Sequence, residues 1–168
     1  MTLRANANAV TSVVDLYLAR GRLRAEIPMQ GFSRLSDLFN NAPGEFVGAY
    51  THMASTSAPS GVVRRELVVR LRDVRLVRPV EEERLSVTLA NLRDRVPARV
   101  VLDLDDWQVT GDVHLVDRVR WLDFATGASQ RFISVSNASV RFVGVAEPLE
   151  CEYLLVNGAR ISALYEIE

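Results

Sequence analysis

Two short stretches hold the residues best placed to act together. Arg34-Leu35-Ser36-Asp37-Leu38-Phe39-Asn40 sets an arginine and an aspartate three apart, and Arg120-Trp121-Leu122-Asp123-Phe124 repeats that spacing 86 positions later. On a helix, residues at i and i+3 are neighbours, so each pair can close an ion pair while the aspartate ties down nearby backbone N–H groups. A guanidinium so placed could instead grip a carboxylate or phosphate. The structural role, anchoring a helical lid, is the preferred reading of Arg34, Asp37, Arg120 and Asp123.

A second concentration of charge is Arg64, Arg65, Arg70, Arg72, Arg75 and Arg78, gathered within 15 residues. Alternate residues of a strand share a face, which would aim Arg70 and Arg72 the same way. Arg64, Arg65, Arg70, Arg72 and Arg75 are therefore candidates for an anion-binding or RNA-binding stripe. No aromatic residues for base stacking are interleaved with them, and Glu81-Glu82-Glu83 follows at once. A solvated strand face or a charged subunit interface is the stronger expectation.

The remaining reactive residues are sparse. Asp103, Asp105 and Asp106 are the densest carboxylates, yet they lack the long, glycine-bearing spacing of a calcium loop and fit a hairpin turn. His52 and His114 show no metal-ligand spacing. Cys151 is the only cysteine, and Glu150 and Glu152 beside it would raise its thiol pKa. All 20 basic residues are arginine, which removes Schiff-base and phosphate-loop lysines. With no nucleophile elbow or Gly-rich phosphate loop, the expectation is a protein without catalysis, cofactor or metal. A net charge of −1 supplies no overall field toward nucleic acid or anionic lipid.

The elements that must position these residues are mostly strands. Val13 to Leu18 and Leu23 to Ile27 read as a hairpin about Ala19-Arg20-Gly21-Arg22. Ser33 is the expected N-cap of a helix over Arg34 to Asn40, whose Leu35, Leu38 and Phe39 share one face. Glu45 to Thr51 reads as a third strand, and 54–61 as a polar loop. Alternation resumes from Val69 to Arg78, with a phase slip at Arg72-Asp73 that suits a turn or bulge. Pro97 marks the end of a segment, from Leu85, of undetermined type.

The pattern then restarts. At an offset of 86, Val14, Leu16 and Leu18 fall on Val100, Leu102 and Leu104, and Phe46-Val47 falls on Phe132-Ile133. An offset of 85 matches Asp73-Val74-Arg75-Leu76 to Gly158-Ala159-Arg160-Ile161, where Asn157-Gly158 signals a type I′ hairpin turn. The expected organisation is a tail over 1–12, a first repeat over 13–80, a connector over 81–98 and a second repeat over 99–168. The expected fold is mostly β with short helices: two tandem ββαββ repeats, each a small barrel or half-barrel, packed about a pseudo-two-fold axis. The more apolar second lid, with Trp121 and Leu122, is expected to be buried and the first exposed.

The hairpin, the Arg34–Asn40 stretch and the Phe-led strand after it resemble an uncharacterised bacterial domain family marked by R-L-S-D-hydrophobic-x-N. The second copy departs from that motif at Trp121, Leu122, Ala125 and Thr126. The opening hairpin also resembles the bent strands of small Sm-like barrels. Neither resemblance implies an activity. With no long apolar run or secretory signal, the expectation is a cytoplasmic protein with no membrane span. Its expected work is protein–protein interaction or self-assembly into an oligomer, with nucleic-acid binding as the lesser alternative.

Overall fold

The computed structural model describes residues 10–54, 62–80, 95–116, 120–126 and 130–167. Among them the β-branched and aromatic runs form one open, antiparallel sheet. Its strands are β1 (Thr11–Leu18), β2 (Gly21–Pro28), β3 (Phe46–Ala54), β4 (Val62–Arg70) and β5 (Val74–Pro79), then β6 (Arg95–Leu104), β7 (Trp107–Val116), β8 (Phe132–Phe142), β9 (Leu149–Asn157) and β10 (Ala163–Glu166). Helix α1 (Leu35–Asn41) follows β2, and α2 (Trp121–Thr126) follows β7. Short 3-10 turns at Leu71–Asp73 and Gly158–Arg160 join β4 to β5 and β9 to β10. The first of these turns accounts for the phase slip at Arg72-Asp73.

The strand order is β10-β6-β7-β8-β9-β5-β1-β2-β3-β4. Read within each half of the chain, it is β5-β1-β2-β3-β4 and β10-β6-β7-β8-β9. A two-fold relation would pair the same strand from each half. Instead the fifth strand of the first half meets the fourth of the second, Leu76 opposite Val156 and Val77 opposite Leu155. The strand order therefore does not give the expected pseudo-two-fold packing: the two halves meet through β5 and β9 within one open sheet. Each half also has three strands after its helix, one more than expected.

Hydrophobic residues gather in two clusters that meet at this junction. Val74, Val77 and Leu155 belong to the first, with α1 and the inner residues of β1–β4. Leu76, Leu154 and Val156 belong to the second, with the inner residues of β6–β8. Successive residues of a strand point to opposite faces, so Leu76 and Val77 of β5, and Leu154, Leu155 and Val156 of β9, enter the two cores in turn; the register shift at Tyr17/Leu18 returns Val74 to the first.

Several boundaries differ from expectation for local reasons. β1 starts at Thr11, so Thr11 and Ser12 belong to a strand and not to a tail. β6 starts at Arg95, inside the expected connector, and carries Pro97 within it. β10 pairs with β6 only along Val100–Asp103, so Pro97 sits where β6 has one neighbour and a missing N–H is tolerated. Asn157 takes φ −69° and caps a 3-10 turn, accepting a bond from the Ala159 N–H at 3.1 Å, in place of the expected type I′ turn. The two 3-10 turns lie 87 residues apart, not 85. Because strand side chains repeat every second residue, a short alternating match cannot distinguish those two offsets. Residues 55–61 and 81–94, expected to be a polar loop and mostly connector, fall outside the described residues.

Candidate interaction surface

The junction between the halves is where side chains from distant parts of the chain converge. Helix α1 lies there with Leu35, Leu38 and Phe39 at most 1% exposed. The three share a face by helical spacing, as expected. Arg34, not Ser33, occupies the N-cap, and its side chain makes no capping bond. Phe39 meets Phe132 of β8 edge to face, with centroids 5.1 Å apart. Next to it, the Asn40 side chain closes two bonds with one residue: its Nδ2 donates to the Phe132 carbonyl at 3.0 Å, and its Oδ1 accepts from the Phe132 N–H at 2.7 Å.

Other contacts cross the same seam. Buried Asn157 donates through Nδ2 to the Val74 carbonyl at 2.7 Å and to the Leu71 carbonyl at 3.1 Å. Arg160 donates to the Arg72 carbonyl, and Arg131 to the Gly44 carbonyl. Arg75 closes a bond of 2.7 Å on Asp105 and lies over the Trp107 ring. Tyr17 stacks on Phe142 and meets Trp107 edge on. Each half therefore lends residues to the other's core: Phe132 and Leu155 enter the first, while Tyr17 and Leu76 enter the second.

The Arg–Asp pairs behave differently in the two halves. Arg120 and Asp123 form the expected i, i+3 ion pair at 2.9 Å, in an exposed position. Among the described residues no such pair joins Arg34 to Asp37; α1 is held by its apolar face and by Asn40. The lids are also opposite to expectation. α1 is buried, whereas in α2 Leu122 is 67% exposed and Trp121 and Phe124 are half-buried. Burial follows what packs on each helix, and β8 covers α1.

The arginine-rich segment does not form a bare stripe. Arg64 bonds Glu26 at 3.0 Å and stacks on Tyr50, while Arg70 stacks on Phe46. Arg72 lies 3.9 Å from Asp73, and Arg75 holds Asp105. Arg65 sits on β4 opposite Thr51. Asp105 and Asp106 form the β6–β7 hairpin turn, with Asp105 at φ 43°.

One charged residue was not singled out by the sequence. Asp15 is fully buried on β1, between Arg24 of β2 and Arg78 of β5 in the cross-strand register. It accepts from Arg24 at 2.9 and 3.2 Å and from Arg78 at 2.8 Å, with Arg22 at 3.9 Å. Burial alone would raise its pKa, but the hydrogen bonds and charges of Arg24 and Arg78 outweigh it and hold the carboxyl below its ordinary value. The apolar–polar alternation of β1 was the only hint, since Asp15 falls between Val14 and Leu16. In the second half, Asp112 is held below its ordinary value first by the Asn137 side-chain bond and, against the opposing effect of burial, by Arg99.

Cys151 lies in β9, half-buried, with its thiol pushed up to about 11 chiefly by burial, which outweighs the lowering charge of Arg78, and to a smaller extent by Glu150. A thiol raised in this way stays protonated at neutral pH, which disfavours it as a nucleophile. His114 contacts the Ser136 hydroxyl at 3.1 Å, and His52 lies 3.6 Å from Glu26. Among the described residues no group of three or more His, Cys, Asp or Glu side chains is arranged to hold a metal, and no helix is long and apolar enough to cross a membrane.

At the two ends of the sheet, among the described residues, β4 pairs only with β3 and β10 only with β6. Large apolar side chains stand exposed on these strands, Val68 of β4 at 66% and Tyr165 of β10 at 45%, and on the neighbouring β3, Phe46 at 45%. In comparisons with known proteins, the chain matches no family model, no curated protein and no solved structure.

Proposed function

We propose that this protein is a non-catalytic interaction component, an adaptor or a self-assembling structural element, that works by contacts along its sheet edges. The observation that carries this reading is the pair of outer strands, β4 and β10, each with a single neighbour among the described residues and each bearing exposed apolar side chains. An edge of that kind is a template for strand addition, and soluble proteins ordinarily blunt it with charge, proline or a covering loop.

The duplication belongs to this reading. The two halves share a strand order, and we take them as repeats of one β-rich unit, each supplying most of one core and a few residues of the other. Two such units joined through a shared sheet make a rigid platform with an edge at either end.

The arginine-rich segment supports phosphate binding less well. Arg64, Arg70, Arg72 and Arg75 are already engaged by carboxylates or aromatic rings of this chain. A salt-titrated RNA-binding measurement is expected to show weak affinity with a shallow log–log slope.

The test of the interaction reading is a capture experiment from host extract with two baits, the wild-type chain and the edge variant Val68→Asp, alongside light scattering of each. Self-association, or a bound protein lost specifically with Val68→Asp, is the expected result. A wild-type chain that neither self-associates nor retains anything the variant loses would overturn it.

A further inference from the structure

The pairing registers match residues of β3–β4 with residues of β8–β9. Phe46 lies opposite Arg70, Val47 opposite Val69 and Gly48 opposite Val68; Phe132 lies opposite Asn157, Ile133 opposite Val156 and Ser134 opposite Leu155. Phe46 thus corresponds to Phe132, and Val68 to Leu155. The four differ sharply in surroundings. Phe132 and Leu155 are fully buried, inserted into the core of the first half, whereas Phe46 is 45% and Val68 is 66% exposed.

The receiving side shows the same contrast. Phe132 and Leu155 are received by α1 and β5, and the counterparts of those elements are α2 and β10. β5 is paired on both sides, with β1 and β9; among the described residues β10 has only β6. α1 is covered by β8, while α2 carries half-buried Trp121 and Phe124 and exposed Leu122. The Trp121 indole donates to Glu166 at 3.0 Å, which ties α2 to the β10 edge. One molecule therefore displays an inserting surface at β3–β4 and a receiving surface at β10–α2, each matching one side of a junction already made inside the chain.

We infer that the exposed Phe46–Val68 surface beside β4 docks onto the β10 edge and α2 of a second copy, head to tail, repeating the β9–β5 junction between molecules. This deepens the interaction reading above and rests on it. In this register Val68 faces Leu164 and Val69 faces Ala163, as Leu155 faces Val77 and Val156 faces Leu76. The contact is heterologous, so it propagates until the rotation per copy closes a ring or leaves an open filament. It is weaker than the internal junction. β10 has four residues against six in β5, and the counterparts of Tyr17 and Leu76 are Asp103 and Ala163, which offer little to a partner's core. Assembly is accordingly concentration-dependent.

The test uses the full chain with Cys151→Ser as background. Val68→Cys and Leu164→Cys are made in separate chains and exposed to mild oxidant, alone and mixed. The expected result is a covalent dimer in the mixture, with each variant alone at least tenfold less cross-linked. Sedimentation of the uncrosslinked chain is expected to show species beyond a dimer at high concentration, and Val68→Asp is expected to weaken association at least tenfold while leaving the circular dichroism spectrum unchanged. Cross-linking of Val68→Cys alone as efficient as in the mixture would show a symmetric β4–β4 contact and overturn the proposal. A chain that stays monomeric, with no mixed cross-link, also overturns it. If Val68→Asp then still loses a captured protein, the interaction reading survives with a different partner; if nothing is lost, both fall.

Discussion

Helices α1 and α2 occupy the same place in their halves, carry the same Arg–Asp spacing and end in opposite surroundings. The less apolar of the two is the buried one. α1 contributes Leu35, Leu38 and Phe39 to a core and bonds Phe132 through Asn40. α2, despite Trp121, Leu122 and Phe124, holds its Arg120–Asp123 pair in solvent. Composition of a short helix does not decide its burial. The decisive factor is whether another strand arrives to cover it, and here that strand comes from residues about ninety positions away.

The largest expected contrast lies between the counterpart phenylalanines. Phe132→Ala removes a fully buried ring and should cost about 4 kcal/mol, whereas Phe46→Ala should stay within about 0.5 kcal/mol in dilute thermal denaturation. Equal costs would break the comparison.

Next comes the carboxylate at the centre of the first half. Asp15→Asn leaves Arg78 without its charge partner and should cost about 3 kcal/mol by urea unfolding near neutral pH. Its counterpart in the second half, Val101, is apolar and makes no such contribution. The folded pKa of Asp15 lies below its ordinary 3.8, so its contribution is present above that value and is lost as pH falls through the lower folded value. Urea midpoints between pH 5 and pH 2 should therefore converge for wild type and Asp15→Asn; parallel curves would contradict this account.

A smaller contrast concerns Gly111 and its counterpart Ala25. A methyl group at Gly111 would strike Val135 and sit 2.9 Å from the Ser136 carbonyl oxygen. The cause is the irregular β7–β8 pairing near Asn137, which takes φ 48°. Gly111→Ala should lower stability by about 2 kcal/mol, while Ala25→Gly should cost about 1 kcal/mol, through backbone entropy. Below these stand Asn40→Ala, at about 1.5 kcal/mol for its two bonds to Phe132, and Arg120→Ala, within about 0.5 kcal/mol because its ion pair is exposed.

Much of the strand content was legible from alternation alone. The Ala19-Arg20 and Asp105-Asp106 turns, the apolar face of α1 and the phase slip at Arg72-Asp73 all carry local signals that a single stretch of chain displays. The rest depends on partners remote in sequence. Nothing near Phe132 announces that it enters the core of the first half, because that follows from Val77 meeting Leu155. Asp15 looked like any outward residue of a strand until Arg24 and Arg78 were brought to either side. The 85-residue offset failed for a related reason: two-residue periodicity fixes which face a residue occupies but not its position along the strand.

The insertion of Phe132 and Leu155 into the first core bears on how the chain comes into being. Contacts so far apart in sequence carry a high loop-closure cost and form late. During synthesis, β1 to β5 leave the ribosome well before the residues that complete their core exist. The emerging first half must then hold its α1 face and β5 edge open until β8 and β9 arrive, an interval in which premature pairing with a neighbouring nascent chain competes with the intended closure.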